Sequence, residues 1–168
     1  MNGFYGECLR LEIFGQSHAE SVGMTLEGVP AGARVDFDAL MRFMQRRAPG
    51  RGEYATARRE ADVPEFTSGL RDGVTDGAPI TAVIRNTDVR PHDYDALRTV
   101  PRPGHADYSA WLRYGSIPTG GGEFSGRMTA PLCVAGGICL QLLESEGVSI
   151  RARTVEIGGA HDEDAMRD

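Results

Sequence analysis

The chain has 168 residues, of which 24 are acidic and 18 basic, for a net charge of −6, and every basic side chain is arginine. An acidic balance argues against bulk nucleic-acid or membrane-surface binding, which usually needs a basic excess. The lack of lysine excludes a Schiff base or a Walker-type phosphate lysine within this stretch.

The length predicts one domain with a real core. Glycine is abundant at 22 residues, which implies many tight turns or close backbone approaches. The three cysteines, Cys8, Cys133 and Cys139, are odd in number and lack paired metal spacing, so they read as reduced thiols. Cys133 and Cys139 sit in an apolar run and read as small core residues. No uninterrupted apolar run of membrane-spanning length and no basic-then-apolar leader is seen, and a cytoplasmic location is expected.

In chain order, Leu9 to Phe14 alternates like a strand, with Leu9, Leu11 and Ile13 on one face. Val22 to Val29 reads as a second strand stopped by Pro30, and the two can pair as a hairpin. Asp36 is a natural N-cap for a helix reaching Arg47, with Phe37, Leu40, Met41 and Met44 turned to the core. Arg51 to Glu60 reads as a polar loop. Val63 to Ser68 and Pro79 to Asn86 read as strands, with Gly73, Gly77 and Pro79 punctuating the gap. Asn86 to Gly104 is loop-like, and a short helix is expected over Ala106 to Tyr114. A longer helix is expected from Thr129 to Glu146, with Pro131 in its first turn and Gly147 at its exit. Apolar residues nearly encircle that helix, which predicts burial on most sides, with Gly136 and Gly137 making room for a close neighbour. Val148 to Ile157 reads as a strand. His161 to Asp168 reads as the first turn of an element cut short, so 1–168 is expected to be a single incomplete domain, the N-terminal portion of something longer.

Four loops concentrate polar chemistry. Phe14 to Glu20 places His18 just beyond a strand, where an imidazole can donate a proton near neutral pH, although a hydrogen-bonded surface histidine fits equally. Arg46, Arg47, Arg51, Arg58 and Arg59 fall within fourteen positions. Such a cluster can grip phosphate by bidentate contacts, or can be a solvated helix end. No aromatic platform accompanies them, which weakens a nucleic-acid reading. Pro101 and Pro103 restrain the backbone before His105, whose ring Asp107 or Tyr108 could orient. Gly120 to Gly122, entering a helix, offers backbone N–H groups to an anion, though it fits neither a Walker loop nor GxGxxG.

Taken in order, FGQSHAE, RRAPGRG, TARREAD, SGLRDGVTDGAPI, NTDVRPHDY, RPGHADY and GGGEFSGR resemble the chorismate synthase family, in register from about Phe14 to Gly137. The resemblance implies an α+β fold, a β-α-β sandwich with antiparallel strands and buried helices, assembled as a homotetramer. It implies a lyase that removes phosphate and a ring proton from 5-enolpyruvylshikimate 3-phosphate by anti 1,4-elimination, giving chorismate. It also implies reduced FMN, with NADPH as indirect reductant through this polypeptide or a separate flavin reductase. By the family pattern His18 matches the histidine near the leaving phosphate and His105 the one near the flavin. Ser17, Arg47 and Arg51 are then expected at the substrate, and His105, Ser125 and Arg127 at the cofactor. No metal, nucleic acid or membrane is implied. His92 and His161 match no family site.

Departures from the pattern cluster in the same loops. The first motif usually reads FGESHG, and here Gln16 and Ala19 stand in it. The glycine motif usually continues RSSARE, and Glu123, Phe124, Gly126 and Met128 replace four of those residues. Glu53 stands where an arginine is usual, with Arg51 two residues earlier. Family members run to roughly twice this length, so this stretch is expected not to close the site alone. A non-catalytic anion-binding or assembly fragment of the same family is the competing expectation.

Overall fold

A computed structural model describes residues 3–5, 7–48, 60–87, 100–156 and 158–159. The expectations for Arg51, Glu53, His92 and His161 to Asp168 fall outside these residues.

Five strands form one antiparallel sheet: β1 (Gly3–Tyr5), β2 (Arg10–Gly15), β3 (Ser21–Glu27), β4 (Pro64–Ser68) and β7 (Ile80–Arg85), in the order β1-β2-β3-β7-β4. Between β4 and β7 the chain makes a small hairpin, β5 (Leu70–Arg71) with β6 (Val74–Thr75). The β2–β3 hairpin forms as expected, Leu11 facing Leu26 and Ile13 facing Met24. In the centre Val22, Met24 and Leu26 pair with Ile84, Ala82 and Ile80. All six are buried on one face, because side chains two apart along a strand point the same way.

Two helices cover that face. Helix α1 (Phe37–Arg47) starts at Asp36, whose carboxylate accepts from Ala39 N at 2.9 Å. Such a cap is typically worth about 1 kcal/mol. Helix α3 (Thr129–Ser145) buries Ala130, Val134, Ala135 and Ile138 against the sheet and α1. Gln141 of α3 grips the α1 cap with its amide, accepting from Asp36 N and donating to Asp36 O. A third, shorter helix, α2 (Asp107–Tyr114), ends at Gly115 in the left-handed conformation.

Several expectations need correcting. Phe37 is 41% exposed and packs its ring on Phe66 of the edge strand β4, while Leu40 and Met44 are the residues of α1 that reach the core. Helix α3 is not buried all round: Leu132 is exposed, since among the described residues the helix packs mainly on the sheet and α1. By length and mean apolarity alone, Gly126–Ser145 would suffice to cross a bilayer, yet it carries Arg127 and Glu144 and occupies the place of a core helix. Gly137 does make room, for a β-carbon there would lie 2.5 Å from Leu40 Cδ1, but Gly136 faces open space. Residues 148–156 form no strand. Their β-branched residues are exposed, and strand propensity without a paired neighbour does not hold a strand. Strand β1 and the β5–β6 hairpin went unforeseen because runs of two or three residues carry no readable period.

Candidate functional site

The hairpin turn after β2 carries Ser17 and His18 to the end of the sheet where the chain enters α3. There residues 119–124 form a tight turn in which Gly120, Gly121 and Gly122 all have positive φ, at 60°, 87° and 53°. Three such residues in succession require glycine. The turn has a second reason to lack side chains. A β-carbon on Gly120 would lie 2.1 Å from His18 Cε1, and one on Gly121 would lie 2.6 Å from His105 Cε1. The two imidazoles therefore rest on neighbouring residues of one bare turn, within about 12 Å of each other given the Cα spacing.

Each ring has a partner. Ser17 is buried, donates from Oγ to Gly120 O at 3.2 Å, and lies 2.9 Å from His18 Nδ1. With the hydroxyl proton on a carbonyl that can only accept, the network assigns the remaining contact as His18 Nδ1–H donating to Ser17 Oγ. That sets Nε2 on the side of the ring away from the Ser17 contact. Ser17 N also donates to Gly122 O, stitching the histidine turn to the glycine turn.

His105 is held from beneath by Asp107, the first residue of α2, whose side chain is fully buried. His105 Nδ1 lies 2.7 Å from Asp107 Oδ1. Arg102 embraces the same carboxylate through Nε at 2.6 Å, Nη2 at 2.9 Å and its backbone N at 3.1 Å. The Arg102 guanidinium holds the Asp107 carboxyl far below the usual carboxylate range, despite the opposing cost of burial. Ionised, Asp107 can only accept, so His105 carries its proton on Nδ1. Of the two orienters expected for this ring, Asp107 fills the role, while Tyr108 stacks on Trp111.

Beneath the glycine turn lies a buried ionic cluster. Arg127 donates from Nη1 to Asp62 and from Nε to Asn86 Oδ1 at 3.0 Å, with Nη2 3.2 Å from Glu60. Arg47, from the last turn of α1, donates from Nη1 to the other oxygen of Asp62 and from Nε to Thr129 Oγ1 at 3.1 Å. Asp62 itself holds a left-handed backbone at φ 50°. Around the two imidazoles, Arg47, Arg102 and Arg127 are thus matched by Glu60, Asp62 and Asp107.

The remaining expected residues are placed as follows. Ser125 caps the short turn Gly126–Met128, accepting from Arg127 N at 3.2 Å. Arg127 is buried, hydrogen-bonded through Nε and Nη1 and only ion-paired through Nη2, whereas the Arg47 side chain keeps 20% of its surface exposed. Arg46 lies over the Phe43 ring, 6.0 Å from its centroid. Glu123 accepts a hydrogen bond from Tyr114 of α2, which keeps its carboxyl ionised to lower pH than usual. Met128 packs on the core and Ala19 is exposed. Sequence reasoning missed Glu60, Asp62 and Asn86 as site residues, because their arginine partner lies 41 to 65 positions away for Asn86 and Asp62. Among the described residues no cluster of metal-ligating side chains occurs.

A family model described as chorismate synthase matches residues 9–168. Chorismate synthase of Lancefieldella parvula is 48% identical over 165 residues, covering 96% of this chain and 43% of that protein. Chorismate synthase of Aeropyrum pernix is 49% identical over 156 residues, covering 92% of this chain and 41% of that one. A crystal structure of chorismate synthase matches with a TM-score of 0.66 at 26% identity, covering 96% of this chain and 42% of the other. The chain therefore spans less than half the length of the curated relatives it matches.

Proposed function

Because the chain belongs to the chorismate synthase family, we propose that the protein converts 5-enolpyruvylshikimate 3-phosphate to chorismate by 1,4-elimination of phosphate. The observation that carries this reading is the single glycine turn bearing both His18 and His105, each ring oriented through Nδ1. His18, as an imidazolium with Nδ1–H on Ser17, would donate its Nε2 proton to the departing phosphate. His105, with Nδ1 tied to Asp107, would meet the cofactor through Nε2, which Arg102 Nη2 approaches at 3.4 Å. Ser17 acts on the substrate through the ring it supports, being buried beneath it.

Reduced FMN fits the residues present. Partly exposed imidazole and guanidinium edges on a side-chain-free turn are the donor set that an anionic, phosphate-bearing ring system needs. His105 and Ser125 would hold it, and Arg127 would shape its floor. When bound, the reduced flavin lends electron density to the substrate and takes up the ring proton. Arg47 offers its exposed edge to the substrate, and Arg51 is assigned there too. The charge balance around the histidines, in which Arg47 is already counted, leaves the phosphate's excess negative charge to arginines beyond it, such as Arg51. NADPH as the source of reducing equivalents, a separate flavin reductase, a homotetramer and a cytoplasmic location complete the proposal.

The test is anaerobic chorismate formation with reduced FMN. His18→Ala and His105→Ala are each expected to lower turnover by about a hundredfold or more, with little loss of folding. Unchanged turnover in both would refute the site. No chorismate from the complete protein, of which these residues are expected to be the N-terminal portion, would favour the anion-binding or assembly alternative.

A further inference from the structure

Asn86 follows the last residue of β7, and its side chain meets three groups at once. Arg127 Nε donates to Oδ1 at 3.0 Å, while Nδ2 donates to Gln16 O at 3.1 Å and to Ala19 O at 2.8 Å. The orientation of the amide is fixed by this set, since a guanidinium only donates and a carbonyl only accepts. Gln16 and Ala19 flank Ser17 and His18, so the amide spans the histidine turn from behind. The backbone of Asn86 adds a further tie, its N–H donating to Glu20 O at 2.9 Å. On its other side Arg127 is locked by Asp62 and Glu60.

We propose that Asn86 is a positioning residue for His18, an amide strap that couples the buried Arg127–Asp62 ion pair to the turn carrying the imidazole. The proposal rests on His18 belonging to the site, but the strap is a physical connection that can be read without turnover. Asparagine suits the position for a specific reason. It is short enough to stand between a guanidinium and two carbonyls, and it is acceptor on one side and donor on the other. An aspartate in its place would satisfy Arg127 but turn an oxygen toward two carbonyl oxygens. Leucine or alanine would satisfy neither side.

The experiment compares Asn86→Asp and Asn86→Ala with the unaltered chain by amide hydrogen exchange and by ¹⁵N NMR of the histidine rings. Asn86→Asp retains the contact to Arg127, so any loosening of the turn reports the lost donors. Asn86→Ala, which adds no charge, controls for repulsion and decides the matter if the aspartate variant does not fold. In both variants exchange of the Ser17 and Ala19 amides is expected to accelerate by about tenfold or more. The His18 ring nitrogens should shift toward those of an unrestrained imidazole, while the His105 ring and the β3 amides stay unchanged. Parental exchange rates in Asn86→Ala, or changes spread equally over the sheet and His105, would overturn the proposal. Failure of the complete protein to form chorismate would refute the functional reading and leave these rates untouched.

Discussion

Replacing Gly120 by alanine tests whether the bare turn is what sets the histidine geometry. The new methyl would lie 2.1 Å from His18 Cε1 and 2.2 Å from Nδ1. Ordinary carbon contact needs roughly 3.5 Å, so the ring must retreat by about 1 Å or more. That retreat stretches the contact of His18 Nδ1 with Ser17 Oγ, now 2.9 Å. The backbone at φ 60° adds left-handed strain of about 1 kcal/mol. Together with a lost hydrogen bond, stability should fall by about 2 kcal/mol. Displacing a proton donor by about 1 Å can cost about a hundredfold in rate. Turnover should therefore fall about a hundredfold, measured as anaerobic chorismate formation beside a urea titration of the same variant. Gly126→Ala is the matched control, because a β-carbon there meets nothing within 4 Å and φ is not positive. Turnover within threefold of the unaltered protein for Gly120→Ala would refute the argument. So would equal losses in both variants.

Asp62→Asn keeps size and tolerates the left-handed backbone but leaves two guanidiniums short of a counter-charge, so urea unfolding should show a loss of about 3 kcal/mol or more. For Asp107, the folded-state carboxyl sits below its unfolded value, so its contribution is complete above about pH 4 and lost as pH falls further. The stability gap between the unaltered chain and Asp107→Asn should accordingly be flat from pH 5 to 7 and narrow below pH 4; a gap that widens on acidification would reverse the sign. In α3, Gly136→Ala should stabilise by up to about 1 kcal/mol, since its added methyl meets open space. Gly137→Ala should destabilise by about 1 to 3 kcal/mol, as its methyl drives into Leu40 and Phe43. Thermal melts of the pair should move in opposite directions.

Local rules made the helices legible. The Asp36 cap, Pro131 and Gly147 mark boundaries within a residue of those observed. The central strands were legible because one buried face imposes a strict alternation on Val22, Met24 and Leu26 and on Ile80, Ala82 and Ile84. The segment 148–156 shows the limit of the same reasoning, for its alternation is real but has no partner strand among the described residues. For the site, the two histidines were visible as residues, and their shared footing was not. Ser17 and Gly120 stand 103 positions apart, and only the folded sheet brings them together. Asp62 drew no reading of its own because an acid carries no sign of a distant arginine. The triple glycine looked like an anion loop, and its close contact with two imidazoles gives it a different use.

The absence of lysine acquires a physical reading at these contacts. Arg127 serves Asn86, Asp62 and Glu60 with three nitrogens in one plane. Arg102 meets both oxygens of Asp107 while lying alongside the His105 ring. Arg47 divides itself between Thr129 and Asp62. A lysine has one charged nitrogen and no fixed fork, so it could carry the charge of any of these residues but not span its partners. Arg102 and Arg127 are in this sense scaffolding, each neutralised by a buried carboxylate and each aligning a segment that bears or supports an imidazole. It follows that phosphate affinity and histidine placement draw on different arginines. The first depends on exposed guanidinium edges such as that of Arg47, and the second on the carboxylate-locked planes of Arg102 and Arg127.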